Sequence, residues 1–150
     1  MLIADPNMPF RAFLYMATKA LALVVLMLAA KGLLNGNYSA FFLMLSCSTL
    51  LFCFWRIYLA MVKPLTGVVP AYNPAILKDH AIELALSRNG KIFRRTAVAI
   101  GFICWGLAAA TEYRYAEWVI LELFTFAMYL VMGFYSLRKL PEAPRNDQPA

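Results

Sequence analysis

Three ionisable side chains fall inside apolar stretches of this 150-residue chain, and their types are the ones that could do chemistry: Lys19, Arg56 and Glu122. A charge at the centre of a membrane helix costs about 2.5–3.5 kcal/mol on insertion scales, so such residues are functional candidates unless they snorkel or pair. If the first apolar stretch begins at Ala12 and the second ends at Val62, Lys19 lies seven residues inside one boundary and Arg56 six. Both then sit roughly 10 Å deep at 1.5 Å per residue, at one level. Such a basic pair suits an anion, either a lipid phosphate or a carboxylate substrate. The alternative is two long side chains that snorkel to the headgroups.

Glu122 belongs to a second charged group. In "TEYRYAEWVILELF", residues 111–124, Glu112, Glu117 and Glu122 gather around Arg114, with Tyr113, Tyr115 and Trp118 beside them. Aromatic rings of this kind anchor at the membrane–water interface. Three outcomes are open: an aromatic belt with a local ion pair and Glu122 hydrogen-bonded nearby, a cation or proton site, or a docking patch for another protein. Glu122 and the Lys19/Arg56 pair belong near opposite faces, and no carboxylate or histidine lies at mid-depth between them. A continuous proton path is therefore poorly supplied with stations.

The elements that must position these residues follow from composition. At 63% hydrophobic and 15% charged, the chain departs from the usual balance of roughly half apolar and a quarter charged. An all-α integral membrane protein is expected, a single domain built as a compact bundle of four transmembrane helices in two antiparallel hairpins, plus a short cytoplasmic helix. A span needs about 20 mostly apolar residues. The spans are expected at about residues 12–34, 39–62, 96–113 and 117–138, with a cytoplasmic loop over 63–95 and a tail over 139–150. "KGLLNGNYS", with Gly32, Asn35, Gly36 and Asn37, supplies the turn of the first hairpin. In the loop, Asn73 can cap a helix with Pro74 at its first position, and Asn89 with Gly90 is expected to end it near Arg88.

Lysine and arginine counts set orientation. The segments through Lys19, from Arg56 to Arg95 and from Arg138 onward carry two, seven and three; the two hairpins carry one each, Lys31 and Arg114. Both termini and the long loop are expected in the cytoplasm of a bacterial cell, the bilayer being the inner membrane. A rival reading makes "ALALVVLMLAA" the core of a cleaved leader ending at Ala30, although Leu28 is bulky for that cut. The two hairpins also resemble one another loosely, each ending in a basic residue near proline ("VKPL", "RKLP").

Membrane helices associate through small and polar residues. Inward stripes are expected at Tyr15, Thr18, Ala22, Ala29 and Gly32 on the first helix and at Ser39, Ser46, Thr49, Cys53, Arg56 and Ala60 on the second. The third carries a small ridge, Ala97, Gly101, Cys104 and Ala108; on the fourth the stripe is Glu122, Thr125, Tyr129, Gly133 and Ser136. Partner contacts are expected at Glu112, Arg114 and Glu117 in the outer hairpin, at Ala97, Gly101 and Ala108 if the ridge faces another subunit, and at Lys91, Arg94 and Arg95 in the basic end of the loop.

The net charge of +6 lies between apolar segments rather than on a soluble aromatic face, which argues against nucleic acid. Three cysteines without a C-x-x-C pair and a single histidine, His80, give no metal pattern. No phosphate-binding loop, dinucleotide fingerprint or nucleophile elbow occurs. No catalytic residue, metal or cofactor is expected. The chain reads as a small non-catalytic scaffold or accessory subunit of a larger membrane complex of the secretion, transfer or energy-transducing type. The alternative is a small transporter or channel subunit using Glu122 and the Lys19/Arg56 site. The partners would be the lipid bilayer and other membrane subunits, or further copies of the chain.

Overall fold

The computed structural model describes residues 6–138, which form five helices and no strand. The tail expected over 139–150 lies outside the described residues. Helix α1 spans Met8–Leu34, α2 Tyr38–Thr66, α3 Pro74–Leu86, α4 Arg88–Ala110 and α5 Ala116–Ser136. All but α3 are long and apolar enough to cross a membrane. At 1.5 Å per residue, the 27 residues of α1 reach about 40 Å.

Local sequence sets the helix ends. Gly36, at φ 72°, turns the chain after α1, and the Asn37 side chain accepts from the Ala40 N–H at 3.1 Å to start α2. Pro64 lacks an N–H, yet α2 runs on to Thr66 and stops where Gly67, at φ 65°, turns left-handed. Asn73 accepts from the Ala75 N–H at 3.0 Å and Pro74 opens α3, as expected.

The stop expected at Asn89 and Gly90 does not occur. Ser87 breaks the helix instead, at φ −63° and ψ 160°, donating to the Leu84 carbonyl at 2.7 Å and accepting from the Gly90 N–H at 3.0 Å. Asn89 and Gly90 lie in the first turn of α4, which therefore starts eight residues before the expected Thr96. Gly90 is needed for closeness rather than for a turn: a Cβ there would stand 1.9 Å from the Leu84 carbonyl oxygen.

The bundle is open. Its four long apolar helices pack in the order α2, α1, α5, α4, and α2 approaches the backbone of neither α4 nor α5. Helix α3 lies across one end of this row, touching all four. One core cluster joins Met16, Ala20 and Val24 of α1, Trp55 of α2, Leu77, Ala81 and Ile82 of α3, and Met128 and Met132 of α5. Helix α3 is therefore docked on its own bundle. The resemblance between hairpins does not extend to packing, since the returning helix is an edge in one hairpin (α2) and an inner helix in the other (α5).

Row packing also redraws the expected stripes, because inner helices bury two faces and edge helices one. On α1, Tyr15, Ala22 and Ala29 are buried as expected, and a second face, Ala12, Met16, Ala20 and Val24, is fully buried as well. On α5, Thr125 of the expected stripe is buried opposite α4, and Ala127 and Val131, outside that stripe, are also buried. On α2 the expected stripe is displaced: Ser39, Ser46, Thr49 and Ala60 are exposed, and the buried residues are Ser48 and Trp55. The Ser46 and Thr49 hydroxyls donate to their own helix at Phe42 and Leu45, so neither must seek the interior. Ser48 instead donates 2.7 Å across to the Ala22 carbonyl of α1.

Candidate functional site

Since α1 stands between α2 and α5, and those two do not meet, a recess is left over the face of α1 with α3 closing one end. It is a cavity of about 1010 Å³, above the roughly 300–1,000 Å³ of ordinary small-molecule pockets.

Lys19 of α1 and Arg56 of α2 both line it, and the structure adds Lys78 of α3 and Arg138 at the end of α5. Four cations thus face one space, and no acidic residue is among the described residues that line it. Lys19 is half-buried; its Nζ donates to the Phe52 carbonyl oxygen and stands 3.9 Å from the centre of the Phe52 ring. Arg56 is exposed and, among the described residues, makes no ion pair. Arg138 lies over the Phe134 ring, its Cζ 4.3 Å from the ring centre.

Away from α3 the walls are apolar, with Leu23, Phe52, Leu130 and Val131. Toward α3 an aromatic group supports the cations. Trp55 stacks on Tyr72 with ring centres 5.4 Å apart, and Tyr15 lies against both Trp55, at 6.2 Å, and Tyr135, at 6.1 Å. Trp55 is 4% exposed, and its indole Nε1 has no acceptor among the described residues. Asn73, Pro74 and Ala75 present the start of α3 to the same cavity, where a helix dipole carries its positive end. Chemically the recess is amphiphilic, cationic at one end and apolar at the other.

The remaining expected sites lie elsewhere. Glu122 is half-buried in α5 outside the cavity lining, with no ion pair among the described residues. The expected gathering around Arg114 reduces to one pair: Arg114 Nη2 stands 3.4 Å from Glu112 Oε2, both side chains more than three-quarters exposed, while Glu117 is exposed without joining them. An exposed pair of this kind contributes little. Ala97, Gly101 and Ala108 are buried within the chain: the Gly101 backbone rests on Thr125 and Phe126 of α5. Within the chain, the ridge brings α4 onto α5. Arg94 also turns inward, donating to Ser136 Oγ at 2.9 Å, whereas Lys91 and Arg95 are exposed. No group of residues able to hold a metal ion occurs among the described residues.

Sequence reasoning reached Lys19 and Arg56 and missed Lys78, Arg138 and Trp55. The charge count already assigned all four cations to one side, and that was the signal that could have joined them. Compared with protein-family models, with curated proteins and with solved structures, the chain gives no match.

Proposed function

We propose that the protein is a small non-catalytic accessory subunit of a larger assembly in a bacterial inner membrane, with α3 and both termini on the cytoplasmic side. The observation that carries this proposal is the outward stripe on the edge helix. Ser39, Ser46, Thr49 and Ala60 of α2 are small or hydroxylated, and all are exposed. Because small residues let membrane helices approach closely, a stripe of them on an edge is a surface suited to another subunit's helix. The open row supports the same proposal. A channel or transporter made of one copy must surround its path, and here the two edges stand apart. Nor does the cavity at Lys19 and Arg56 extend to Glu122.

Orientation rests on the concentration of basic residues at the α3 end, with Lys31 and Arg114 alone at the hairpin end.

The test is purification of the tagged chain from its host in mild detergent, followed by native mass spectrometry. Partners at fixed stoichiometry are expected. A Ser46→Leu/Thr49→Leu chain should lose them while remaining monodisperse, and Glu122→Gln or Arg56→Gln should keep them. A chain that purifies alone, or one whose cellular role fails with Glu122→Gln while its partners stay bound, would move the assignment to transport.

A further inference from the structure

We infer that the recess between α2 and α5 is a binding site for an anionic phospholipid of the surrounding bilayer, its phosphate held by Lys19, Arg56, Lys78 and Arg138 and an acyl chain laid along the apolar walls. This goes beyond membership of an assembly and does not depend on it.

Charge is the first ground. Four basic side chains, from α1, α2, α3 and the residue just past the end of α5, converge on one cavity of about 1010 Å³, and no carboxylate among the described lining residues neutralises them. Like charges so close repel one another, and a bound anion removes that cost. The start of α3 adds its positive dipole end to the same place.

The gradient along the cavity identifies the anion as a lipid. Its wall on α1 runs from Tyr15 to Leu23, about 12 Å at 1.5 Å per residue. The cations occupy the α3 end and middle, whereas Leu23 and Leu130 lie at the far end. A free phosphate would satisfy the cations and leave that apolar length in contact with water, whereas an acyl chain covers it. The geometry of entry agrees. Because α2 and α5 do not approach each other, the recess opens sideways between two spanning helices, where lipid tails would lie.

Trp55 supplies an independent observation. This residue lines the cavity, is only 4% exposed, and has an indole N–H without an acceptor among the described residues. A buried donor left unmade is costly. A phosphate or ester oxygen in the recess provides the acceptor that the protein does not.

The experiment uses the full chain in nanodiscs of phosphatidylcholine containing a minority of phosphatidylglycerol, transferred to detergent and read by native mass spectrometry for retained lipid. Wild type should keep one phosphatidylglycerol in preference to phosphatidylcholine. Arg56→Gln/Arg138→Gln should lower that retention about tenfold. Lys91→Gln/Arg95→Gln, which removes equal charge from an exposed stretch of α4, should leave it unchanged. Leu130→Trp should lower it with every cation in place, by filling the apolar end. In a Trp105→Phe/Trp118→Phe chain, phosphatidylglycerol brominated on its acyl chain should quench Trp55 emission. Size-exclusion and circular dichroism profiles matching wild type qualify each variant, and Arg56→Gln alone serves if the double variant misfolds. Equal loss from both charge pairs, equal retention of phosphatidylcholine, or displacement of the lipid by millimolar inorganic phosphate would each overturn the inference. The last outcome would make the recess a site for soluble anions.

Discussion

The Lys19 ammonium donates to the Phe52 carbonyl oxygen and lies 3.9 Å from the centre of the Phe52 ring, tying the middle of α1 to α2. A snorkelling lysine would direct its charge toward the headgroups and leave such a carbonyl alone. Here the stem crosses to the neighbouring helix, so the charge is held at the cavity wall. Arg56, one helical turn beyond Phe52, is thereby left as an exposed cation at the same wall. Lys19→Met keeps an apolar stem and removes both the bond and the cation–π contact. Its melting temperature in detergent should fall by a few degrees, while Arg56→Gln should melt within a degree or so of wild type.

Ser48 and Ser46 stand two residues apart on α2 and should respond oppositely. Ser48 donates across to Ala22 in a buried bond, and Ser46 donates to its own helix. Polar bonds between membrane helices are worth about 0.6–1.7 kcal/mol. Ser48→Ala should lower stability by an amount in that range, measured by steric trapping or denaturant unfolding in detergent. Ser46→Ala should change it by less than about 0.5 kcal/mol.

Gly101 and Gly106 make a matched pair on α4. A Cβ at Gly101 would meet Thr125 Oγ1 at 2.9 Å and Phe126 Cζ at 3.1 Å, whereas one at Gly106 would meet nothing within 4 Å. Gly101→Val should cost about 1–3 kcal/mol by forcing α4 off α5. Gly106→Ala should be neutral or stabilising, since it adds helix propensity without a clash. Thermal unfolding of the two variants in one detergent checks both.

Gly90 should tolerate no side chain. Its Cβ would stand 1.9 Å from the Leu84 carbonyl oxygen and 3.1 Å from the Ala85 Cα, both backbone atoms that cannot turn aside. Gly90→Ala should open the corner at Ser87 and lift α3 from the bundle. Limited proteolysis should then cut between Thr66 and Arg88 faster than in wild type, with α3 residues such as Ala81 becoming reactive when replaced by cysteine.

The proposed orientation makes a labelling prediction. In a chain with Cys47, Cys53 and Cys104 replaced by alanine, Glu112→Cys should react with a membrane-impermeant maleimide in intact spheroplasts. Lys91→Cys should react after permeabilisation. The opposite pattern would invert the assignment.

The sequence by itself determined the four apolar helices, the turn between α1 and α2 and the cap of α3. These depend on local matters: the length of an apolar run, an asparagine before a proline, and a glycine able to take positive φ. It also separated charge between two ends, because that separation is written in order along the chain. Tertiary structure alone decided which helix neighbours which, and the consequences were large. Once α2 became an edge, Ser46 and Thr49 turned outward and Ser48 turned in, a choice that polarity could not make because any helical hydroxyl can bond back to its own backbone. Once α1 and α5 became inner helices, each acquired a second buried face that a search for one stripe per helix does not find. The recess has the same origin. Lys78 and Arg138 are 60 positions apart in sequence and reach Lys19 and Arg56 only because α3 folds back beneath the row, with Leu77 and Ala81 buried against α1 and α5. Packing energy, which depends on shapes brought together from distant segments, placed four cations around one cavity; local propensity carries no record of that encounter.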